Sequence, residues 1–122
     1  MSPAHSERMG PAHRMRHAAE FEAAKQHGTA WRGRHCVLVA LEIPGEPTRL
    51  GVVASRRGVG EAVQRNRARR RLREIVRRRW PRLPHNGWLI MLVAYRSAVT
   101  APHEELVGDV MSLLAQAGIV AA

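Results

Sequence analysis

The chain has 122 residues, 45% of them hydrophobic, and a formal net charge of +10. That size suits one compact domain burying roughly two-thirds of its unfolded surface and excludes a second. Its longest apolar run, Trp88 to Tyr95, falls well short of the about 20 residues a bilayer-crossing helix needs, and the opening residues lack the basic-then-apolar layout of a secretory signal. A cytoplasmic protein with no membrane partner is expected. Cys36 is the only cysteine, so there is no disulfide scaffold, and its apolar surroundings predict a small buried thiol.

Met1 to Arg14, with Pro3, Gly10, Pro11 and scattered histidines, has no apolar period and reads as a disordered tail, residues 1–14, ahead of a single α/β domain at 15–120. From Met15 to His27, helix formers place Ala18, Phe21, Glu22, Ala24 and Lys25 at helical spacing. Gly28 stands where a left-handed cap belongs, so a short first helix is expected. Arg34 to Ile43 and Thr48 to Ser55 are rich in Val, Leu and Ile and flank Pro44-Gly45-Glu46-Pro47, which is turn chemistry; they read as two antiparallel strands. Gly58-Val59-Gly60 then breaks the strand. From about Ala62 to Trp80 the apolar positions Ala68, Leu72, Ile75, Val76 and Trp80 recur at three and four residues. They predict a long second helix with one apolar stripe of about 140°.

Pro81 and Pro84 stop that helix, Asn86-Gly87 is a turn, and Trp88 to Tyr95 suits a strand covered on both faces. Thr100 is placed to cap a last helix containing Leu106, Val107, Val110, Leu113 and Leu114 and ending near Gly118. The order α-β-β-α-β-α, with no internal repeat, points to an α+β fold in which helices pack on a small sheet.

The surplus charge sits on one element. From Arg56 to Arg82 there are 12 arginines against Glu61 and Glu74, and the basic and acidic groups outside that segment, eight of each, cancel. Arg70, Arg73 and Arg77 flank the apolar stripe on one side, and Arg67, Arg71 and Arg78 on the other. A merely solvated helix face alternates its signs so that pairs four apart support it. Here like charges repeat at four with only Glu74 to relieve them, so the helix is under repulsion until a polyanion arrives. Guanidinium forks match phosphate oxygens, but phosphate contacts alone do not separate RNA from DNA.

Other chemistry is poorly supported. His13 and His17 are four apart, but no cysteine or carboxylate nearby completes a tetrahedral set, so no metal site is expected, and His5, His13, His17 and His27 read as solvated. Asp109 is the only aspartate, and Glu104-Glu105 lies near the start of the last helix, where negative charge suits the dipole. The basic half has no converging carboxylates of the kind a two-metal nuclease needs, so no catalytic residue is assigned.

The stretch Gly51 to Glu74, GVVASRRGVGEAVQRNRARRRLRE, resembles the signature of the bacterial ribonuclease P protein component. Its marks are a strand ending in Ser55-Arg56-Arg57, a glycine loop from Gly58 to Gly60, and a helix that opens with Arg65-Asn66-Arg67 and continues with basic residues from Arg69 to Glu74. More loosely, the resemblance runs from about Arg14 to Gly118. It implies a two-layer α-β-β-α-β-α sandwich, similar to the second domain of a ribosomal protein, with the arginine helix in a left-handed βαβ crossover. The general rule would give a right-handed one in about 98% of cases.

The resemblance also implies a subunit of the ribonucleoprotein endoribonuclease that removes the 5′ leader from precursor tRNA. The RNA subunit would perform the chemistry and hold most of the Mg2+. Partners would be that catalytic RNA and precursor tRNA, with no obligate protein partner. Carried over residue by residue, Arg65, Asn66, Arg67, Arg69, Arg70, Arg71 and Arg73 would bind the catalytic RNA. Phe21, Arg56 and Arg57 would hold the single-stranded leader in a cleft between the first helix and the sheet, where stacking is worth roughly 1–3 kcal/mol per base. Relatives often carry further aromatics where this chain has Lys25, Cys36 and Val39, so leader binding is expected to lean more on charge; His35 and Trp31 could compensate. The alternatives are a ribosomal-type structural RNA binder and a DNA regulator, the latter disfavoured because no short turn joins two helices ahead of the arginine helix.

Overall fold

A run of apolar residues with no polar alternation can satisfy both of its faces only in the middle of a sheet. Asn86–Ala94 takes that place in the computed structural model, which describes residues 9–121. The elements are α1 (Ala18–His27), β1 (Thr29–Arg32), β2 (Cys36–Pro47), β3 (Arg49–Val53), α2 (Ala62–Arg78), β4 (Asn86–Ala94) and α3 (His103–Gln116). Short 3-10 turns lie at Pro11–His13, Trp80–Arg82 and Arg96–Val99.

The strand order is β1-β2-β4-β3; β3 runs parallel to β4 and the other pairs are antiparallel. The two strands read as antiparallel do run in opposite directions, but β4 lies between them, and α2 is the crossover that brings the chain from β3 to β4. The stretch Pro44 to Pro47 is accordingly no hairpin turn. It is an extended tail of β2, irregular between Glu42 and Pro47, with Gly45 at φ +84°. Strand β1 was not anticipated, because four mostly exposed residues carry no alternation; its register against β2 runs from Thr29↔Ala40 to Arg32↔Val37.

Period-two alternation sends Cys36, Leu38, Ala40, Leu50, Val52, Ile90 and Leu92 to one face of the sheet. There they meet Ala68, Leu72, Ile75 and Val76 of α2 and Leu106, Val110, Leu113 and Leu114 of α3. Each large side chain in that set gains roughly 1.5–3 kcal/mol from leaving water. The other face carries Val39, Leu41, Val53, Leu89, Met91 and Val93 beneath Met15, Phe21 and Ala24.

Local boundaries differ from the sequence reading in three places. Helix α1 begins at Ala18 rather than Met15, because the Glu20 carboxylate accepts the backbone N–H groups of Arg16 (2.9 Å) and His17 (3.1 Å) and ends the extended approach there. Gly28 is extended, not left-handed; a Cβ at this position would lie 2.5 Å from the Ala24 carbonyl oxygen and 2.9 Å from Val39 Cγ1, so close approach requires the glycine. Thr100 closes the Arg96–Val99 turn, and α3 starts after Pro102. Its far end is as expected: Gly118 at φ +78° lets Ile119 N–H reach Leu114 O and Gly118 N–H reach Ala115 O, a Schellman closure.

Residues 9–14 are docked rather than loose. Met15 N–H donates to Leu50 O (2.9 Å), Arg14 bridges Leu50, and His13 Nδ1 lies 2.6 Å from Thr48 O. The His13 ring stands 4.8 Å from the buried Trp80 ring, which stacks on His85 at 5.3 Å, so His13 is no solvated surface group. His5 and the rest of the expected tail lie outside the described residues.

Candidate nucleic-acid interface

The loop into α2 is held from within. Ser55 Oγ accepts Gly58 N–H (2.8 Å), Ser55 O accepts Val59 N–H (2.9 Å), and Val59 is 1% exposed. Gly60, at φ +135°, supplies the turn into the helix. Arg56 and Arg57 are left exposed on a pinned loop, without an intramolecular partner among the described residues.

The arginines of α2 fall into three groups. Arg67 Nε donates to Val99 O (2.9 Å), and Arg71 donates through its two terminal nitrogens to Ala98 O and Ala101 O. These two satisfy carbonyls of the turn before α3 and brace it against α2; burial first, and then the Arg67 charge, lowers the proton affinity of Arg71. Arg77 and Arg78 clasp Glu74, and their hydrogen bonds hold its carboxyl down to about 2. Arg65, Arg70 and Arg73 have no intramolecular partner among the described residues. Arg69 donates to Asn66 Oδ1 (2.6 Å) and more weakly to Ala54 O (3.4 Å). The seven residues read from sequence as the RNA-binding set are thus divided: Arg67 and Arg71 bond to backbone carbonyls of the fold, Asn66 and Arg70 are exposed, and Arg65, Arg69 and Arg73 are half-buried, with Arg65 Nε buried and unpartnered among the described residues. Arg67, Arg70, Arg71, Glu74 and His103 line a cleft of about 350 Å³ between α2 and the start of α3.

On the other face, Phe21 is half-buried among Met15, Leu89 and Met91. A Cβ on Gly51 would lie 2.6 Å from Phe21 Cε1, so the ring reaches the β3 backbone only because position 51 is glycine. Val39, Val53 and Val93 are half-buried in the same apolar cluster between α1 and the sheet. Arg56 and Arg57 follow the end of β3, beyond Val53.

Neither suggested substitute aromatic lies on the Phe21 side of the sheet. Trp31 packs on the α2/α3 side, and His35 is buried between Ser97 Oγ (2.8 Å from Nδ1) and Glu105 Oε2 (2.8 Å from Nε2). Cys36 also belongs to that side. Burial first, then the charge and hydrogen bond of Asp109, push its thiol up to about 12. Asp109, which the sequence did not explain, accepts the N–H groups of Arg34 and His35 at 2.8 Å each. A Cβ on Gly33 would sit 2.7 Å from Asp109 Oδ1, so that glycine admits the carboxylate. Among the described residues no group of three or more His, Cys, Asp and Glu is placed to hold a metal ion.

The sequence model of the family described as Ribonuclease P matches residues 9–118. A ribonuclease P protein component from Symbiobacterium thermophilum is 38% identical over 113 residues, covering 92% of this chain and 96% of that one. One from Kocuria rhizophila is 40% identical over 106 residues, covering 86% and 91%. Among solved structures, the RNase P protein of Staphylococcus aureus superposes with a TM-score of 0.77 at 22% identity, over 89% of this chain and 98% of that one. That of Thermotoga maritima gives 0.73 at 23%, over 84% and 96%.

Proposed function

The chain belongs to the ribonuclease P protein family and is a protein component of that tRNA 5′-processing enzyme; from this premise we propose how its surfaces divide the work. Arg65, Asn66, Arg69, Arg70 and Arg73 bind the catalytic RNA, while Arg67 and Arg71 hold that surface in position. The observation that carries this reading is that Arg65, Arg70 and Arg73 have no intramolecular partner among the described residues, on a helix that Ala68, Leu72, Ile75 and Val76 dock to the core. Unneutralised guanidiniums at fixed spacing gain most when they displace counterions from a polyphosphate. Asn66 keeps its amide N–H groups available for a sugar hydroxyl or base edge.

The apolar surface beside Phe21, together with Arg56 and Arg57, holds the single-stranded leader of precursor tRNA. Phosphodiester cleavage is left to the RNA subunit. The Mg2+ the reaction needs is held mainly by RNA phosphates, and the arginines lower the repulsion between those strands. The place of action is the cytoplasm.

The test is a salt series of catalytic-RNA binding. Replacing Arg65, Arg70 and Arg73 together with glutamine should flatten the log–log salt dependence by up to about 2–3 units, at roughly 0.9 per phosphate contact on a duplex. An unchanged slope rejects the assignment, and preference for ribosomal RNA would favour the structural-binder alternative. Phe21→Leu should weaken binding of leader-bearing substrate and leave mature tRNA unaffected; equal losses reject the leader surface.

A further inference from the structure

The guanidinium surface does not end at α2. Because α2 follows β3 in the crossover, it runs back alongside that strand. Arg69 Nη1 reaches the carbonyl of Ala54 at the end of β3, and Arg73 follows one turn later on the same side. The outer edge of β3 carries the docked N-terminal segment, in which Met15 N–H on Leu50 O and the Arg14↔Leu50 bridge fix the backbone at residues 14 and 15. His13, held on Thr48 O and against Trp80, fixes the residue before.

The Arg14 side chain is exposed while its backbone is pinned, and its charge and that of Arg69 both act on Arg73, whose proton affinity is lowered by burial first and then by those two neighbours. Carboxylates in the vicinity are already engaged. Glu74 is clasped by Arg77 and Arg78, and Glu20 accepts the N–H groups of Arg16 and His17 and pairs with Arg49. Like charges gathered from two elements with no carboxylate between them are stabilised by an external anion.

We propose that Arg14, Arg69 and Arg73 form a phosphate-binding site for an RNA backbone at the edge of β3. Arg14 also lines a groove of about 490 Å³ together with Arg16, His17, Arg49 and Glu20, the last engaged as described above. The site rests on the RNA-binding reading above and adds to it a strand path that leaves α2 and crosses the N-terminal segment. The phosphate comes either from the catalytic RNA or from precursor tRNA.

Full-length Arg14→Gln is compared with Arg34→Gln, which removes the same charge from an exposed position paired to Glu105 on α3. Circular dichroism first establishes that both variants fold. Affinity is then measured across a salt series for the catalytic RNA alone, and for precursor tRNA with the reconstituted holoenzyme. Arg14→Gln should lose about 3–10-fold in affinity and about one unit of salt slope, relative to Arg34→Gln, and Arg14→Lys should recover the slope but not the full affinity. A loss in the first titration identifies the catalytic RNA as the source, and a loss confined to the second identifies precursor tRNA. If Arg14→Gln and Arg34→Gln match in both titrations while wild-type binding is intact, the site is refuted and the α2 reading stands. If the wild-type protein binds neither RNA, both fall.

Discussion

One face of the sheet is closed and the other is not. Under α2 and α3, helices of 17 and 14 residues, Cys36, Leu38 and Ala40 are all buried. Under α1, a helix of 10 residues with only Ala24 fully buried, the intervening Val37, Val39 and Leu41 of the same strand stay half-buried. Adjacent residues of one strand therefore have different duties. The closed face is where burial accumulates stability, which lets the open face keep apolar surface in water. Arginine is divided too: Arg67 and Arg71 bond to backbone carbonyls on the closed side, while Asn66 and Arg70 beside them are exposed.

The sharpest way to break this contrast is truncation on each face. Leu72→Ala should cost about 2–5 kcal/mol, and Val39→Ala about 1 kcal/mol or less because half of that side chain's transfer is already forgone, both read from denaturation midpoints. Equal costs would mean that the open face is core. Next, Arg71→Ala should cost about 1–3 kcal/mol by leaving the Ala98 and Ala101 carbonyls unpaired. Arg70→Ala, with no internal partner to lose, should stay within about 0.5 kcal/mol and weaken RNA binding instead. A stable Arg71→Ala protein would show that the brace is dispensable.

These distinctions were unevenly legible in the sequence. The apolar stripe of α2 and the buried strand β4 stood out because long periodic or unbroken patterns survive any tertiary context. The glycine loop and Arg65-Asn66-Arg67 stood out because their spacing is specific. Strand β1 and the docking of His13 and Arg14 were illegible, since both depend on pairing with distant backbone, Ala40 and Leu50, that no local period encodes. The roles of Arg67 and Arg71 were hidden for a related reason. A guanidinium that binds a carbonyl 27 to 32 residues away looks identical in sequence to one that faces solvent. Gly51, read only as the start of the motif stretch, and Gly33, which drew no sequence reading, are glycines because Phe21 and Asp109 come within a methyl group's reach of them.

That last point gives a smaller test of the open face. Gly51→Ala places a Cβ 2.6 Å from Phe21 Cε1 and 2.8 Å from Met15 Sδ, both far ends of side chains that can swing away. The cost should be near 1 kcal/mol, at the low end for overpacking, while the displaced ring alters that surface. Leader-dependent affinity should change more than stability does, and unaltered leader binding would separate Phe21 from the ligand.

The smallest effect concerns how α1 is held over the open face. Burial alone would raise the carboxyl of Glu20, but the N–H groups of Arg16 and His17 and the charge of Arg49 outweigh it and leave it below its ordinary value of 4.5. A carboxylate depressed on folding contributes stability that is present above its unfolded value and is lost as pH falls through the folded one. Acidification below about pH 4.5 should therefore loosen α1 while α2 and α3, docked by apolar side chains, remain protected. Amide exchange in α1 should accelerate ahead of α2 on this limb, and Glu20→Gln should remove most of the difference in its pH dependence. Parallel loss of protection in both helices, unchanged by Glu20→Gln, would mean that the two faces open as one unit.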